Sequence, residues 1–207
     1  VDSDEALLEA WRAGDRTAGE TLLRRHFDAL LRFFRGKVVD RARVEDLVQR
    51  TMLATLRGRA GFRSDASFRT WLYTIARNEL YHELRRTQRT PELVDFAEVS
   101  IAALSGEGAS TAVDRLQAAR LLLEALRRIP LELQIAIELT YWEGLSATDV
   151  ALVLDIPAGT VKSRLRRARE ALQAAMLALG TAQAEVHETV ENLEGWAARV
   201  RDVARPE

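Results

Sequence analysis

Two stretches of this chain have residue types and spacing suited to holding nucleic acid. Between residues 57 and 90, eight arginines (57, 59, 63, 69, 77, 85, 86 and 89) stand against Asp65, Glu79 and Glu83, a net charge of +5. Far downstream, Lys162, Arg164, Arg166, Arg167 and Arg169 stand against Glu170 alone. Guanidinium groups bind phosphates and can read guanine edges through paired hydrogen bonds. An aromatic, Phe62, sits in the first basic block, and stacking a base on such a ring contributes about 1–3 kcal/mol in single-stranded nucleic acid. Taken singly, either block is also what a solvated helix face looks like.

Other chemistry has little to work with. The chain has no cysteine, so it has no disulfide framework, thiolate zinc site or thiol redox sensor. His26, His82 and His187 are scattered without ligand spacing. No nucleophile elbow, phosphate-binding Gly loop or convergent carboxylate pair is present, so the sequence predicts neither an enzyme nor a cofactor. No apolar run is long enough to span a bilayer and the first residues are acidic, which predicts no membrane insertion and a cytoplasmic location.

The elements that must position these residues are helical. Ala, Leu, Arg and Glu dominate the 207 residues, with only 11 Gly and 4 Pro. Helical spacing marks a short helix around Leu7, Leu8 and Trp11, then a long one through Leu22, Leu23, His26, Phe27, Leu30, Leu31 and Phe34 after Gly14-Asp15. A third carries Val44, Leu47, Val48 and Thr51. On it Asp46 and Gln49, three apart, share a face. A fourth begins at Phe68, Trp71, Leu72, Ile75 and Ala76 and runs to about Arg86. The Gly-bearing segment 58–66 between them is a loop that presents Phe62, with Arg63 beside it. Trp71 is in register with the apolar stripe and is expected in the core, while Tyr73 lies off the stripe, where it can meet DNA.

Periodicity fails from about Thr87 to Thr111, where Glu92, Asp95, Glu98 and Glu107 against Arg89 give −3. This predicts a flexible acidic linker, residues 88–112, between domains 1–87 and 113–180. In the second domain, helices run through Leu122, Leu126 and Ile129 to Pro130, then through Ile135 and Leu139 to Trp142 before Gly144. Ser146 with Asp149 three residues on makes a capping box for a short helix. The turn Asp155-Ile156-Pro157 leads into a longer helix from Ala158, and the three parts read as a helix-turn-helix. On the long helix Val161, Leu165, Ala168 and Leu172 form the core face, with Lys162, Ser163, Arg166 and Arg167 opposite. The fold class predicted is all-α, two small helical domains.

The run Glu143-Gly144-Leu145-Ser146, Val150-Ala151, Ile156 to Arg164 and Arg167-Ala168-Arg169-Glu170 resembles the fourth conserved region of extracytoplasmic-function sigma factors. Val44-Glu45-Asp46-Leu47-Val48-Gln49 with Phe62 to Asn78 resembles the same family's second region. Both segments stand in the family's order, and the resemblance covers roughly residues 5 to 178. It implies a factor that binds core RNA polymerase, recognises two promoter elements and assists melting, without making or breaking a bond. It implies that Asp46 and Gln49 dock on the clamp helices of the largest polymerase subunit and that Phe62 and Asn78 hold an unstacked base of the minus-ten element. Lys162, Ser163, Arg166 and Arg167 are then the readers of the minus-thirty-five element. Promoter DNA and core polymerase are the implied partners, with an anti-sigma factor among the regulators such a protein can have. Two residues depart from the family's pattern. Arg50 replaces a usual acid, and Asp155 replaces a usual glycine in the turn, where aspartate tolerates the left-handed conformation.

A helix-turn-helix regulator acting without polymerase, or a protein-binding helical adaptor, are the rivals from other classes. Residues 181–207 match nothing in the short members of the family. Val186, Val190, Leu193, Ala197, Val200 and Val203 predict an amphipathic acidic helix over 183–204 that could shield the DNA-binding face, dock a partner, or pack on its own domain.

Overall fold

The computed structural model describes residues 2–38, 40–62, 66–87, 121–180 and 183–195, and all regular structure among them is helical. The predicted linker and Arg63 lie outside these residues. The helices build two compact units, one on those within residues 4–87 and the other on those within residues 121–150 and 156–195.

In the first unit, α1 (Asp4–Arg12) and α2 (Arg16–Arg35) start at side-chain caps: Ser3 accepts from the Ala6 N–H, and Asp15 from Thr17 and Ala18. Gly14 turns the chain between them at φ +108. The two helices meet so closely that a Cβ on Gly19 would lie 2.4 Å from the Trp11 ring. Helix α3 (Arg41–Gly58), capped by Asp40, buries Val44, Leu47, Val48, Thr51 and Thr55. A single 3₁₀ turn (Arg59–Gly61) follows, and α4 spans Phe68–Thr87.

Helix α4 is buried over a wide arc, because α3 packs along it, α1 touches it and rings of α2 close over the rest. Phe68, Leu72, Tyr73, Ala76 and Leu80 are all at most 1% exposed. Phe68 lies 5.4 Å from the His26 ring and Tyr73 lies 5.6 Å, edge-on, from Phe33, both partners on α2. Tyr73 is therefore a core residue here, and the expectation that it lies at the surface is corrected. At 100° per residue it lies off the main stripe, but a helix packed on two sides buries more than one stripe.

In the second unit, α5 covers 121–128 and α6 covers Leu131–Ile137, continuing as a π-helical turn over Glu138–Trp142. Gly144 ends this run at φ +62. The short α7 (Ala147–Leu154) starts at the predicted box: the Asp149 N–H donates to Ser146 Oγ at 3.1 Å, and that hydroxyl donates to the Asp149 carboxylate at 2.5 Å. Asp155 adopts φ +55 in the turn, which then enters α8 (Ala158–Ala178) through Pro157. Helix α9 (Gln183–Glu191) follows, with a further helical turn at 193–195.

Val186, Val190 and Leu193 of this last segment share one core with Leu122, Leu126, Leu172 and Met176. Of the predicted stripe, Val186, Val190 and Leu193 pack on the chain's own second unit, and Ala197, Val200 and Val203 lie outside the described residues.

Candidate nucleic-acid interface

The long helix α8 keeps its two faces apart. Val161, Ala168, Leu172 and Met176 are buried, Leu165 is half-buried, and Lys162, Arg166 and Arg167 are exposed on the far side. Arg166 is tethered lightly, with Nη1 3.0 Å from Glu170 one turn on and both side chains more than half exposed. Ser163 shares the face, but its hydroxyl donates to the Thr160 carbonyl at 2.9 Å. Its lone pairs remain to accept from a base amino group. Arg164, on the shoulder, leans back within 3.6 Å of Glu132 on α6, whereas Arg169 is exposed. A cationic helix face of this kind fits the width of a major groove.

On α4, Asn78 is exposed and follows Trp71 by two turns on the same side, about 10 Å along the axis. Phe62 lies over Trp71 with centroids 4.8 Å apart and planes 30° apart. Trp71 itself is half-buried, its ring edge 3.0 Å from where a Cβ on Gly58 would sit. It serves as the seat of Phe62, a role its core-like spacing does not reveal. The Arg77 guanidinium lies 5.1 Å from the Tyr81 ring and 3.5 Å from the Asn78 amide oxygen, which puts a cation beside this face. Phe62, Trp71 and Asn78 thus form one surface of a ring that can stack and an amide that can pair with a base edge.

The outer face of α3 is of another kind. Asp46 and Gln49 are exposed, and the same register continues to Leu53 and Leu56, exposed by 47% and 38%. Sequence reasoning from Asp46 and Gln49 alone misses these two leucines, although the helical spacing i, i+3, i+7, i+10 puts all four residues on one face. An acid, an amide and two bare leucines suit a protein partner better than DNA.

Arg50 points along α3 and inward. Its Nε is 3.1 Å from Asp46 Oδ2, its Nη2 is 2.9 Å from Glu83 and its Nη1 is 3.7 Å from Glu79. The Glu83 side chain is only 3% exposed and also receives Arg86 at 2.9 Å. Hydrogen bonds from Arg86, and after it Arg50, hold the Glu83 carboxyl below its ordinary range against the opposing effect of burial. At the other end of the unit, Asp4 takes Arg25 and His26, each at 2.6 Å. Burial pushes the Asp4 carboxyl up, and these two partners outweigh it, leaving it lowered.

Among the described residues no group of three His, Asp or Glu side chains is placed to hold a metal ion, and no helix is long and apolar enough to cross a membrane.

Residues 22–90 match the family model described as Sigma-70 region 2, and residues 119–172 the one described as Sigma-70, region 4. The RNA polymerase sigma-H factor of Pseudomonas aeruginosa is 32% identical over 182 residues, covering 84% of this chain and 94% of that protein. The ECF RNA polymerase sigma factor SigM of Mycobacterium tuberculosis is 37% identical over 172 residues, covering 82% and 83%. Among solved structures, CnrH in complex with the cytosolic domain of CnrY gives a TM-score of 0.64 at 28% identity, over 86% of this chain and 99% of that one. The sigma factor RpoE in complex with the anti-sigma factor NepR from Bartonella quintana shares the fold, with a TM-score of 0.61 at 24% identity. With both regions matched in order on two helical units, this chain belongs to the extracytoplasmic-function sigma factors of the sigma-70 family, which bind core RNA polymerase and direct it to promoters.

Proposed function

We propose that the labour of this sigma factor is divided among three surfaces. The outer face of α3, with Asp46 and Gln49 flanked by Leu53 and Leu56, docks on core polymerase. The surface of Phe62, Trp71 and Asn78, with Arg63 next to Phe62 in sequence, captures the unstacked minus-ten base. Lys162, Ser163, Arg166 and Arg167 on α8 meet the minus-thirty-five element. The observation that carries this reading is the separation of faces on α8, a buried apolar stripe opposite an exposed cationic one, together with a stacked aromatic in the other basic block.

The division assigns residues 1–87 to polymerase and the minus-ten element, 88–112 to a linker, and 113–180 with the extension 181–207 to the upstream element. Such a factor works in the cytoplasm beside polymerase and catalyses nothing itself. CnrH and RpoE were each solved with a protein partner, an anti-sigma factor by name in the second case. The exposed leucines of α3 make a regulator of that class a natural competitor for the polymerase-docking face. Run-off transcription with purified core polymerase tests the whole reading. Added alone, the protein should start specific transcripts, and no transcript without a second sigma factor would favour a helix-turn-helix regulator that acts without polymerase.

A further inference from the structure

We propose that Arg50 is a positioning residue for polymerase docking: it fixes the Asp46 carboxylate on the outer face of α3 and anchors it to α4 through Glu79 and Glu83. The proposal rests on the reading of Asp46 as a docking residue. Four observations carry it. Arg50 reaches three carboxylates, on α3 itself at 3.1 Å and on α4 at 2.9 and 3.7 Å. Its side chain is mostly covered, at 27% exposure, while that of Asp46 remains 56% exposed. Arg50 approaches Asp46 at Oδ2, at ion-pair distance and without hydrogen-bond geometry at Nε. The Glu83 end of the bridge is buried and has a second cation, Arg86, on it.

Charge balance decides between holding Asp46 and cancelling it. Asp46, Glu79 and Glu83 carry three negative charges against the two positive charges of Arg50 and Arg86. The charges of Glu79 and Glu83 already balance those of Arg50 and Arg86, so the surface carboxylate keeps its charge for a basic partner. A guanidinium suits this task because its donors lie in a fixed planar fork, whereas a lysine ammonium is one compact point charge. A carboxylate held in one rotamer also loses less freedom when it binds. The same bridge links the docking face to the helix that carries Asn78, the residue next to Glu79.

A double-mutant cycle on binding to core polymerase tests this, with thermal melting of each variant as a control on folding. Arg50→Gln should weaken binding about two- to fivefold, the range for one exposed ion pair. In an Asp46→Ala background the same substitution should change nothing further. Equal loss in both backgrounds would show that Arg50 only supports the fold, and unchanged or tighter binding by Arg50→Gln would show that it competes for Asp46; either overturns the proposal. Arg50→Lys preserves the charge beside buried Glu83 and serves where Arg50→Gln melts too low to measure. It should bind more weakly than the parent, and full affinity would show that charge suffices without the fork. Wild-type binding by Asp46→Ala alone would instead remove the docking assignment beneath the proposal.

Discussion

Phe62 and Tyr73 lie close in sequence, in or beside the same basic block, and their rings have opposite fates. Phe62 rests on Trp71 at the surface, where it can lift away, while Tyr73 is locked edge-on to Phe33. Phe62→Ala should therefore slow open-complex formation on duplex promoters more than on pre-melted ones, read by permanganate reactivity of the bubble. Tyr73→Ala should cost about 3–5 kcal/mol of stability, the range for deleting a large buried ring, and impair both templates alike. Spacing alone places these residues only in part. A helical wheel predicts one stripe, so it puts Trp71 inside and Tyr73 outside. The packing of α4 buries Tyr73 and leaves Trp71 half-covered, and that depends on partners far away in the chain. Asp155 is legible for a local reason: a tight turn between two helices needs a left-handed residue, and aspartate takes φ +55 at modest cost.

Helices α8 and α9 carry the element-scale consequences. On α8, Arg167→Ala should relax specificity at one upstream promoter position by about 1–3 kcal/mol, seen in competition binding with single-base variants. Lys162→Ala, if its ammonium meets a phosphate, should weaken all sequences alike and reduce the slope of log affinity against log salt by about 1. The helix itself is legible in the sequence, since its apolar stripe and its cations alternate within a single element.

Periodicity predicts α9 as an amphipathic helix but not its partner, because a stripe of valines says only that something covers it. The covering surface is the core of α5 and the C-terminal half of α8. Leu193→Ala should accordingly cost about 2–5 kcal/mol. Truncation after Gly180 should lower the melting temperature of the second unit and its promoter affinity with it. Tighter, more salt-sensitive DNA binding by the truncated chain would point to an inhibitory tail instead.

At the scale of the molecule, the order of the two basic blocks and the acidic stretch between them is visible in composition. The electrostatic ties across the first unit are not, since Asp4 with His26 and Arg50 with Glu83 join residues far apart in the chain. These ties set an acid limit. The carboxyls of Asp4 and Glu83 lie below the ordinary 3.8 and 4.5 in the folded chain, so the unfolded chain binds their protons first. Their contribution to stability is complete above about pH 4.5 and is lost as the pH falls through the folded values. Chemical denaturation between pH 7 and pH 3 should show the first unit losing stability on the acid side, and Glu83→Gln should flatten that loss. Stability that held constant to pH 3 would contradict these ties.

The seat of Phe62 on Trp71 also has an optical side. Indole emission depends on what surrounds the ring; of the other three tryptophans, Trp11 and Trp142 are buried elsewhere and Trp196 lies outside the described residues, so a Trp196→Phe chain isolates the signal. If Phe62 leaves its seat to take a base, the half-buried indole of Trp71 changes neighbours at that moment, so its fluorescence would follow promoter melting in stopped flow without any attached dye.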